Sequence, residues 1–315
     1  MRDGITVDVA VVGGGPAGLS AGLWAARYRR RVIVFEGGTH RNDATRAAHG
    51  YFGHEGVAPA TLLDHGRAGL AAYPEAERCT AAVADVTRAA DGFTLQLADG
   101  GTVYALRLVL ATGVRDVFPD IDGFRTHFGT SIFTCPSCDG YEAQGKHVVV
   151  LGDDDDLAGL ALGLLDWAGS VTVVCQADAP HVAELEQHGI EVVTAVPVAF
   201  LGGRGELTGI RLDNDRTVPA DMVFCTIDHE PGSDLAARLG CAISEEGCVL
   251  VDEHGLTSVE HVYAAGDMTP GPHLVQVAAA EGAVAGIAAA MSLRGERGAP
   301  GSPRPAPDAE AVLDD

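Results

Sequence analysis

The chain has 315 residues, of which 47% are hydrophobic, and its formal net charge at pH 7 is -23. This length suits two packed domains with a sizeable core, which needs no disulfide framework for stability. The acidic balance argues against nucleic acid or an anionic membrane surface as a partner. The chain has seven cysteines, which is an odd number. No secretory signal is visible, and no apolar run is long enough to span a membrane. We therefore expect a cytoplasmic protein with reduced thiols.

The amino-terminal part begins with a strand, a glycine-rich turn, a helix and a second strand, and hydrophobic periodicity places the elements that follow. The predicted elements are a strand at 8–12, a helix to about residue 28, a strand at 31–35, a histidine-rich loop at 39–56, a helix at 59–72, and strands at 81–87, 92–97, 101–103 and 108–111.

A second unit of the same kind starts at Val148. Its predicted elements are a helix through Leu165 and strands at 171–174, 191–194, 207–212 and 222–226, before an apolar strand near 262–265 and a long Ala-rich helix return the chain to the first domain. Two similar units, one nested in the other, predict an α/β fold with two Rossmann-like, doubly wound domains, the second inserted in the first. The predicted boundaries are 1–115 and 245–294 for the first domain, 116–244 for the inserted domain and 295–315 for a disordered, Pro- and Gly-rich tail.

A G-x-G-x-x-G motif is formed by Gly13, Gly15 and Gly18, directly after a strand and at the start of a helix. In this context Gly13 allows the tight turn, Gly15 lets the backbone approach a pyrophosphate, and Gly18 lets the helix pack on the strand. Glu36 ends the second strand, where a carboxylate can accept hydrogen bonds from ribose hydroxyls. The motif predicts a dinucleotide site but does not by itself separate FAD from NAD.

Gly266 and Asp267 follow the apolar strand near 262–265 and favour a flavin. An acid at this place, beside a helix N-terminus, suits the ribityl chain and the isoalloxazine ring. The segment 272–276 is predicted to begin a helix aimed at that ring, so that the helix dipole stabilises the anionic reduced form.

Cys135 and Cys138 form a C-x-x-C motif, and two thiols at this spacing can close a reducible disulfide and exchange electrons in pairs. A zinc site would need a second pair of ligands, and the sequence holds no other C-x-x-C motif, so we predict no metal. Asp139 adjoins the pair and can move protons to or from a thiolate leaving group.

These motifs lie in the order found in low-molecular-weight thioredoxin reductases, and the chain resembles that family up to about Leu293. The resemblance implies bound FAD, a homodimer, a Cys138 that faces the flavin and a Cys135 that exchanges with substrate. The matching segments are 13–18, 111–113, 135–139 and 264–267, and the predicted cofactor-binding residues are Gly13, Gly15, Pro16, Ala17, Gly18, Glu36, Arg41, Asn42, Ala111, Thr112, Gly113, Gly266, Asp267, Gln276 and Val277.

The inserted domain departs from that family, whose members carry a second glycine motif and arginines that hold NADPH. The corresponding positions here are Gly152, Asp154 and Leu157, within a run of four aspartates at 153–156, and the segment 175–181 has no arginine or lysine. One carboxylate about 5 Å from one phosphate charge costs on the order of 3 kcal/mol at an effective dielectric constant near 20. We therefore expect no NADPH binding.

The segment 49–59 is similar to one in the FAD-dependent dithiol oxidases of natural-product pathways of the gliotoxin and holomycin type. This resemblance implies that the protein closes a disulfide in a small-molecule dithiol and passes the electrons to O2, forming H2O2. His49 and His273 are candidate bases for the substrate thiol because imidazole titrates near neutral pH, and His273 is assigned to the catalytic set. A surface or structural role has at least the same weight for either histidine.

Two other functions agree with the same motifs. The first is a thioredoxin reductase that takes its electrons from a ferredoxin or from NADPH. The second is a flavin-binding interaction module without catalysis, which the intact C-x-x-C motif disfavours.

Overall fold

The computed structural model describes residues 4–153, 156–176 and 182–294, and within them the chain forms two compact units. The first unit takes the residues up to 41, then 60–115 and those from 230 onward, and the second takes 42–59 and 116–229. The return to the first unit therefore comes at 230, earlier than the predicted boundary at 245, and the histidine-rich loop belongs with the inserted unit. The predicted tail at 295–315, as well as Asp154 and Asp155, lies outside the described residues.

The strands of the described residues are β1 (Ile5–Val12), β2 (Val32–Phe35), β3 (Ala76–Cys79), β4 (Val83–Ala89), β5 (Gly92–Leu97), β6 (Thr102–Leu110), β7 (Val114–Val117), β8 (Ile132–Phe133), β9 (His147–Leu151), β10 (Ser170–Cys175), β11 (Glu191–Thr194), β12 (Pro197–Gly203), β13 (Glu206–Leu212), β14 (Thr217–Pro219), β15 (Met222–Cys225), β16 (Asp228–Pro231) and β17 (Val262–Ala264). Their α-helices are α1 (Pro16–Arg27), α2 (Pro59–Ala71), α3 (Phe124–His127), α4 (Pro136–Asp139), α5 (Leu157–Leu164), α6 (Val182–Gln187), α7 (Leu235–Arg238) and α8 (Val275–Met291). None of these helices is long and apolar enough to cross a membrane.

The first unit is built on a sheet with the order β3-β2-β1-β6-β5-β4, in which β17 also pairs with β6. The strands β3, β2, β1, β6 and β17 run parallel, whereas β4 and β5 join through antiparallel pairs. The central strands are mostly apolar because both faces of the sheet are buried, one against each of two core clusters. Their carboxyl ends meet at one edge, which brings together the turns after β1, β2, β6 and β17.

Strand β6 is a single element where the sequence predicted two strands, at 101–103 and 108–111. Arg107, which interrupts the apolar pattern of this strand, is 2% exposed. Its Nε donates to Ser292 Oγ at 2.7 Å and its Nη2 to the Ser292 carbonyl at 3.1 Å, at the end of α8. Charge-assisted bonds satisfy the buried guanidinium, so the strand continues through it.

Helices α1 and α8 pack closely against each other in the first unit. A Cβ atom on Gly282 of α8 would lie 2.0 Å from the carbonyl oxygen of Ala17 in α1, so only glycine permits this approach. Ala21, Ala285 and Ala289 are fully buried at the same packed layer. The Ala-rich composition of α8 thus serves a close helix pair, and it also sets the position of the turn that precedes the helix.

The second unit holds a parallel sheet with the order β11-β10-β9-β15-β8 and a separate antiparallel sheet β12-β13-β14. The loop at 42–59 is tied to this unit by Arg204, whose Nη2 donates to the Ala44 carbonyl at 3.0 Å and whose Nη1 donates to the Thr126 carbonyl at 3.3 Å. Cys175 and Cys225 are buried at 2% and 3% exposure and are core residues of this unit. Strands β7 and β16 form a separate two-stranded sheet.

Candidate active site

The turn after β1 has the geometry that a nucleotide-binding motif requires. Gly13 adopts φ +122°, and a Cβ there would lie 2.0 Å from the Ala111 carbonyl oxygen. A Cβ on Gly18 would lie 1.8 Å from the Gly13 carbonyl oxygen. Both glycines are therefore fixed by close backbone approaches, as the sequence predicted for Gly13 and Gly18.

Gly15 lies at the start of α1 and differs from its two neighbours in the motif. A Cβ on Gly15 would meet no protein atom within 4 Å, so the space in front of it is open. It is the N-cap residue of α1, no side chain caps the helix there, and Pro16 holds the first position of the helix. The first N–H groups of α1 thus face that space, which fits a pyrophosphate.

Glu36 lies at the end of β2, where the sequence placed it, but its carboxylate is already engaged. It accepts hydrogen bonds from Arg78 Nη1 at 2.8 Å and from Arg67, and His40 Nε2 lies 3.3 Å from Oε1. Burial opposes ionisation of this group, while the bonds from Arg67 and Arg78 hold its pKa below the usual range. The structure therefore gives Glu36 two arginine partners that the sequence did not suggest, and its predicted contact with ribose stays a prediction.

Asp267, Arg41 and His273 come together in the first unit. Arg41 Nη1 donates to Asp267 Oδ2 at 2.8 Å, and the same nitrogen lies 3.1 Å from His273 Nδ1. Since a guanidinium only donates, His273 accepts this bond through Nδ1 and carries its proton on Nε2. Two predicted cofactor-binding residues and one predicted catalytic residue thus form one cluster just before α8.

Glu281 holds the turn that presents Asp267, and the sequence analysis did not single it out. Its Oε2 accepts hydrogen bonds from the Gly266 N–H at 2.8 Å and from Thr269 Oγ1 at 3.0 Å. Gly266 is buried and adopts φ +82°. A single acid within an otherwise apolar helix was the signal that could have revealed this role, because such a group needs a partner.

Replacing Glu281 with alanine is expected to weaken flavin retention and lower thermal stability. The change leaves the buried Gly266 N–H without its acceptor, at a cost of about 1–3 kcal/mol. Glu281→Gln keeps one acceptor oxygen and should lose less. Flavin absorbance per protein and the melting temperature measure both effects, with the exposed Glu245→Ala as the matched control. Equal flavin content in all four proteins would show that the turn does not depend on Glu281.

The remaining predicted cofactor-binding residues take separate positions. Ala111 and Thr112 follow β6 at the same sheet edge as the glycine turn, and Gly113 adopts φ +60°. Gln276 and Val277 lie in the first turn of α8. Asn42 is counted with the second unit, at the boundary, in a 3-10 turn that starts at Arg41. These placements agree with the sheet-edge site, and contacts with a cofactor stay predictions.

The two cysteines of the C-x-x-C motif are joined as a disulfide in the second unit. Cys135 is the N-cap residue of α4, and its Sγ accepts a hydrogen bond from the Cys138 backbone N–H at 3.1 Å. The same bond would stabilise a thiolate on Cys135 when the disulfide opens. Both cysteines are partly exposed, so the pair is accessible to a partner.

Asp139 follows the disulfide and lies in a group of acidic side chains around His49. Burial, with a further contribution from the negative charge of Glu142, raises the pKa of Asp139 to about 7, while His49 acts in the opposite direction. His49 Nδ1 lies 2.7 Å from Glu55 Oε1, and its Nε2 lies 3.6 Å from Glu142 Oε1. The loop histidine, whose place the sequence left open, therefore lies beside the disulfide segment, whereas His273 lies in the first unit.

Glu142 and Glu55 are the members of this group that the sequence analysis missed. Glu142 Oε2 is buried and has no hydrogen-bond partner among the described residues. A carboxylate three residues after Asp139 was a usable signal, since positions i and i+3 face each other in a helical segment. No spacing in the sequence indicated the contact of His49 with Glu142, because the two residues lie far apart along the chain.

The turn after β9 shows how the second glycine motif has changed. Asp153 Oδ1 accepts a hydrogen bond from the Gln176 N–H at 2.6 Å, and Asp153 Oδ2 accepts one from Gln176 Nε2 at 2.9 Å. The Asp153 carboxylate therefore accepts hydrogen bonds from the residue that follows β10. Asp154, Asp155 and residues 177–181 lie outside the described part, so the prediction that they exclude NADPH has no structural test.

Comparison with known proteins places this arrangement in a family. The model for the pyridine nucleotide-disulphide oxidoreductases matches residues 7–155 and 165–282. A bifunctional thioredoxin reductase/thioredoxin of Mycobacterium leprae is 31% identical over 276 residues, which cover 83% of this chain and 60% of that protein. The chain spans between 37% and 57% of the next three curated relatives. A thioredoxin reductase of Helicobacter pylori is 28% identical over 89% of this chain and 97% of its own length.

Solved structures support the same assignment. HlmI superposes with a TM-score of 0.88 at 32% identity, over 94% of this chain and 95% of its own. A Bacillus anthracis protein assigned as the thioredoxin reductase TrxB gives 0.87 at 28% identity, over 92% and 99%. The predicted α/β fold is thereby confirmed as thioredoxin-reductase-like, with Rossmann-type sheets. Because the family match extends over most of the sequence, the chain belongs to the pyridine nucleotide-disulphide oxidoreductases, and within that family it is similar to thioredoxin reductases.

Proposed function

We propose that this protein is an FAD-dependent dithiol–disulfide oxidoreductase that reduces a thioredoxin-type protein disulfide through Cys135 and Cys138. The observation that carries the proposal is the accessible Cys135–Cys138 disulfide beside Asp139. Relatives named thioredoxin reductase support the substrate class. The homodimer expected from the resemblance belongs to the same proposal.

The first unit supplies a site that fits FAD. The open space at Gly15, the uncapped start of α1 and the Asp267 turn would hold its pyrophosphate and ribityl parts. When bound, the flavin accepts or donates an electron pair and so links the cysteine pair to a second redox partner.

Reduction of the partner uses the reduced cysteine pair. The Cys135 thiolate, stabilised by the Cys138 N–H, attacks one sulfur of the partner disulfide and releases the other as a thiolate. Asp139 accepts the proton of the Cys138 thiol, and the Cys138 thiolate then attacks Cys135 Sγ. The Cys135–Cys138 disulfide forms again, and the partner leaves as a dithiol, having gained two electrons.

A second candidate runs the same exchange in reverse. In this proposal a small-molecule dithiol opens the Cys135–Cys138 disulfide and leaves as a cyclic disulfide, while O2 takes the electron pair and becomes H2O2. Two observations favour it: the similarity to HlmI, and the Asp153 carboxylate that engages Gln176 where an anionic nicotinamide dinucleotide would bind. The absence of NADPH binding is part of this second proposal.

Anaerobic reduction of the flavin separates the candidates. The purified yellow protein is mixed under nitrogen with NADPH, NADH, a reduced ferredoxin or a small dithiol, and absorbance at about 450 nm, the usual oxidised-flavin band, is followed. Bleaching by NADPH or ferredoxin, followed by reduction of a thioredoxin disulfide, supports the reductase. Bleaching by the dithiol alone, with oxygen uptake in air, supports the oxidase. A protein that does neither contradicts both proposals.

A further inference from the structure

We propose that Glu142 and His49 are positioning residues with opposite effects on Asp139, Glu142 keeping a proton on its carboxyl group and His49 favouring the loss of that proton. This inference rests on the proposed function, since it assigns the proton exchanged when the Cys135–Cys138 disulfide opens and closes. It concerns residues of the second unit alone.

The position of Glu142 carries the first half of the proposal. It follows Asp139 by three residues, and Gly140, with helical φ -66° and ψ -33°, joins α4 to a 3-10 turn at Tyr141–Ala143. Its Oε2 is buried and has no hydrogen-bond partner among the described residues. A carboxylate in this setting is costly unless a nearby proton or cation offsets its charge. Burial raises the pKa of Asp139, and the negative charge of Glu142 raises it further.

The contacts of His49 carry the second half. Its Nδ1 lies 2.7 Å from Glu55 Oε1, and the Gly50 N–H donates to the other oxygen of Glu55 at 2.8 Å. Its Nε2 lies 3.6 Å from Glu142 Oε1. The bond to Glu55 raises the pKa of His49 against partial burial, and the charges of Glu142, Glu55 and Asp139 raise it further. An imidazolium held there offsets part of the charge of Glu142.

The charges that act on Asp139 are therefore those of Glu142 in the following turn and His49 in the loop, and Glu55 acts on His49. Removing the negative charge of Glu142 makes ionised Asp139 easier to form. Removing the positive charge of His49 makes it harder. A merely structural role for either residue gives no reason for two shifts of opposite sign.

Opening of the disulfide by dithiothreitol offers a probe that needs neither natural partner. A dithiothreitol thiolate bonds to Cys135 Sγ, and the Cys135–Cys138 bond breaks. Cys138 leaves with the electron pair and takes the proton of Asp139. The second dithiothreitol thiol then closes the ring and releases the Cys135 thiolate, so that the reagent loses the two electrons that the cysteine pair gains.

The experiment measures the initial rate of this opening in the flavin-loaded protein, under nitrogen and across pH. Samples are quenched in acid and alkylated, and mass spectrometry of the peptide that contains both cysteines gives the fraction of opened disulfide. Each rate is divided by the rate at which dithiothreitol reduces oxidised glutathione at the same pH. This division removes the effect of the ionisation of dithiothreitol from the measured pH dependence. The wild-type ratio should fall as pH rises through the pKa of Asp139, because the acid is then lost.

The midpoint is the pH at which the ratio has fallen by half. Glu142→Gln should lower this midpoint by about one pH unit, and His49→Gln should raise it by a similar amount. Glu55→Gln should raise the midpoint by a smaller amount, and Asp139→Asn should abolish the fall of the ratio with pH. Glu186→Gln, an exposed carboxylate on α6, is the matched control and should leave it unchanged. If Glu142→Gln does not fold, Glu142→Ala tests the same downward shift.

An unchanged midpoint in the Glu142 variant, shifts of the same sign in the two variants, or a midpoint that survives Asp139→Asn would each overturn the proposal. The assay uses only the protein disulfide and a reagent dithiol. Failure to reduce thioredoxin or to oxidise a dithiol in air would therefore count against the proposed function and leave this result standing.

Discussion

Cys135→Ser should lose turnover by on the order of a thousandfold or more, both with a thioredoxin disulfide and with a small dithiol in air. Cys135 is the N-cap residue of α4 and receives the Cys138 N–H on its sulfur, so it is the thiolate that the helix stabilises. Serine places a far weaker nucleophile at this position and removes the disulfide altogether. Steady-state assays with either substrate measure the loss.

Cys138→Ser should also lose turnover, but in a different manner. Cys135 can still attack a partner disulfide, and without Cys138 nothing resolves the product, so a mixed disulfide should accumulate. Mass spectrometry of the intact protein detects the added mass. Cys248→Ser is the matched control, a partly exposed cysteine of the first unit that forms no disulfide, and should behave as wild type. A Cys135→Ser protein with normal turnover would refute the assigned role of the disulfide.

Gly18→Ala and Gly15→Ala should both yield protein without flavin, for different reasons. A Cβ on Gly18 would lie 1.8 Å from the Gly13 carbonyl oxygen, and backbone must shift to admit it. Overpacking of this kind costs about 1–3 kcal/mol and sometimes more, so the melting temperature should fall as well. A Cβ on Gly15 meets no protein atom within 4 Å, so that variant should keep its stability in the absence of flavin.

Flavin absorbance per protein and the melting temperature of the apoprotein distinguish the two variants. Gly38→Ala, where a Cβ also meets no atom within 4 Å, is the control for both. Loss of flavin in Gly15→Ala with an unchanged apoprotein melting temperature would identify the open space at α1 as the pyrophosphate site. Full flavin content in Gly15→Ala would place the pyrophosphate elsewhere.

Much of the site was visible in the sequence because its chemistry depends on short motifs. Gly13 and Gly18 lie where their spacing put them, and Cys135 and Cys138 pair as expected. These are local features: a tight turn after a strand and two thiols one helical turn apart follow from backbone geometry alone. The α/β fold followed from the same periodic strands and helices.

Residues that act across long sequence distances were not visible in this way. The sequence predicted two strands where β6 runs through Arg107, whose partner Ser292 lies far along the chain. The sequence did not indicate that Arg67 and Arg78 bind Glu36 in the folded unit, and the contact of Glu36 with ribose stays a prediction. In each case burial forces a charge to find a partner, but the pattern of the sequence does not say which one.

The sequence by itself determined the fold class and the redox pair, since repeated strand–turn–helix units and a C-x-x-C motif leave few alternatives, and the order of its motifs resembles that of the family. The tertiary structure decided which charges surround that pair. His49 is 90 residues before Asp139 in the printed numbering, and only folding of the 42–59 loop with the second unit brings it to Glu142. The proton affinity of Asp139 depends on those neighbours and on burial, because electrostatic energies follow distance in space and local dielectric, not distance along the chain.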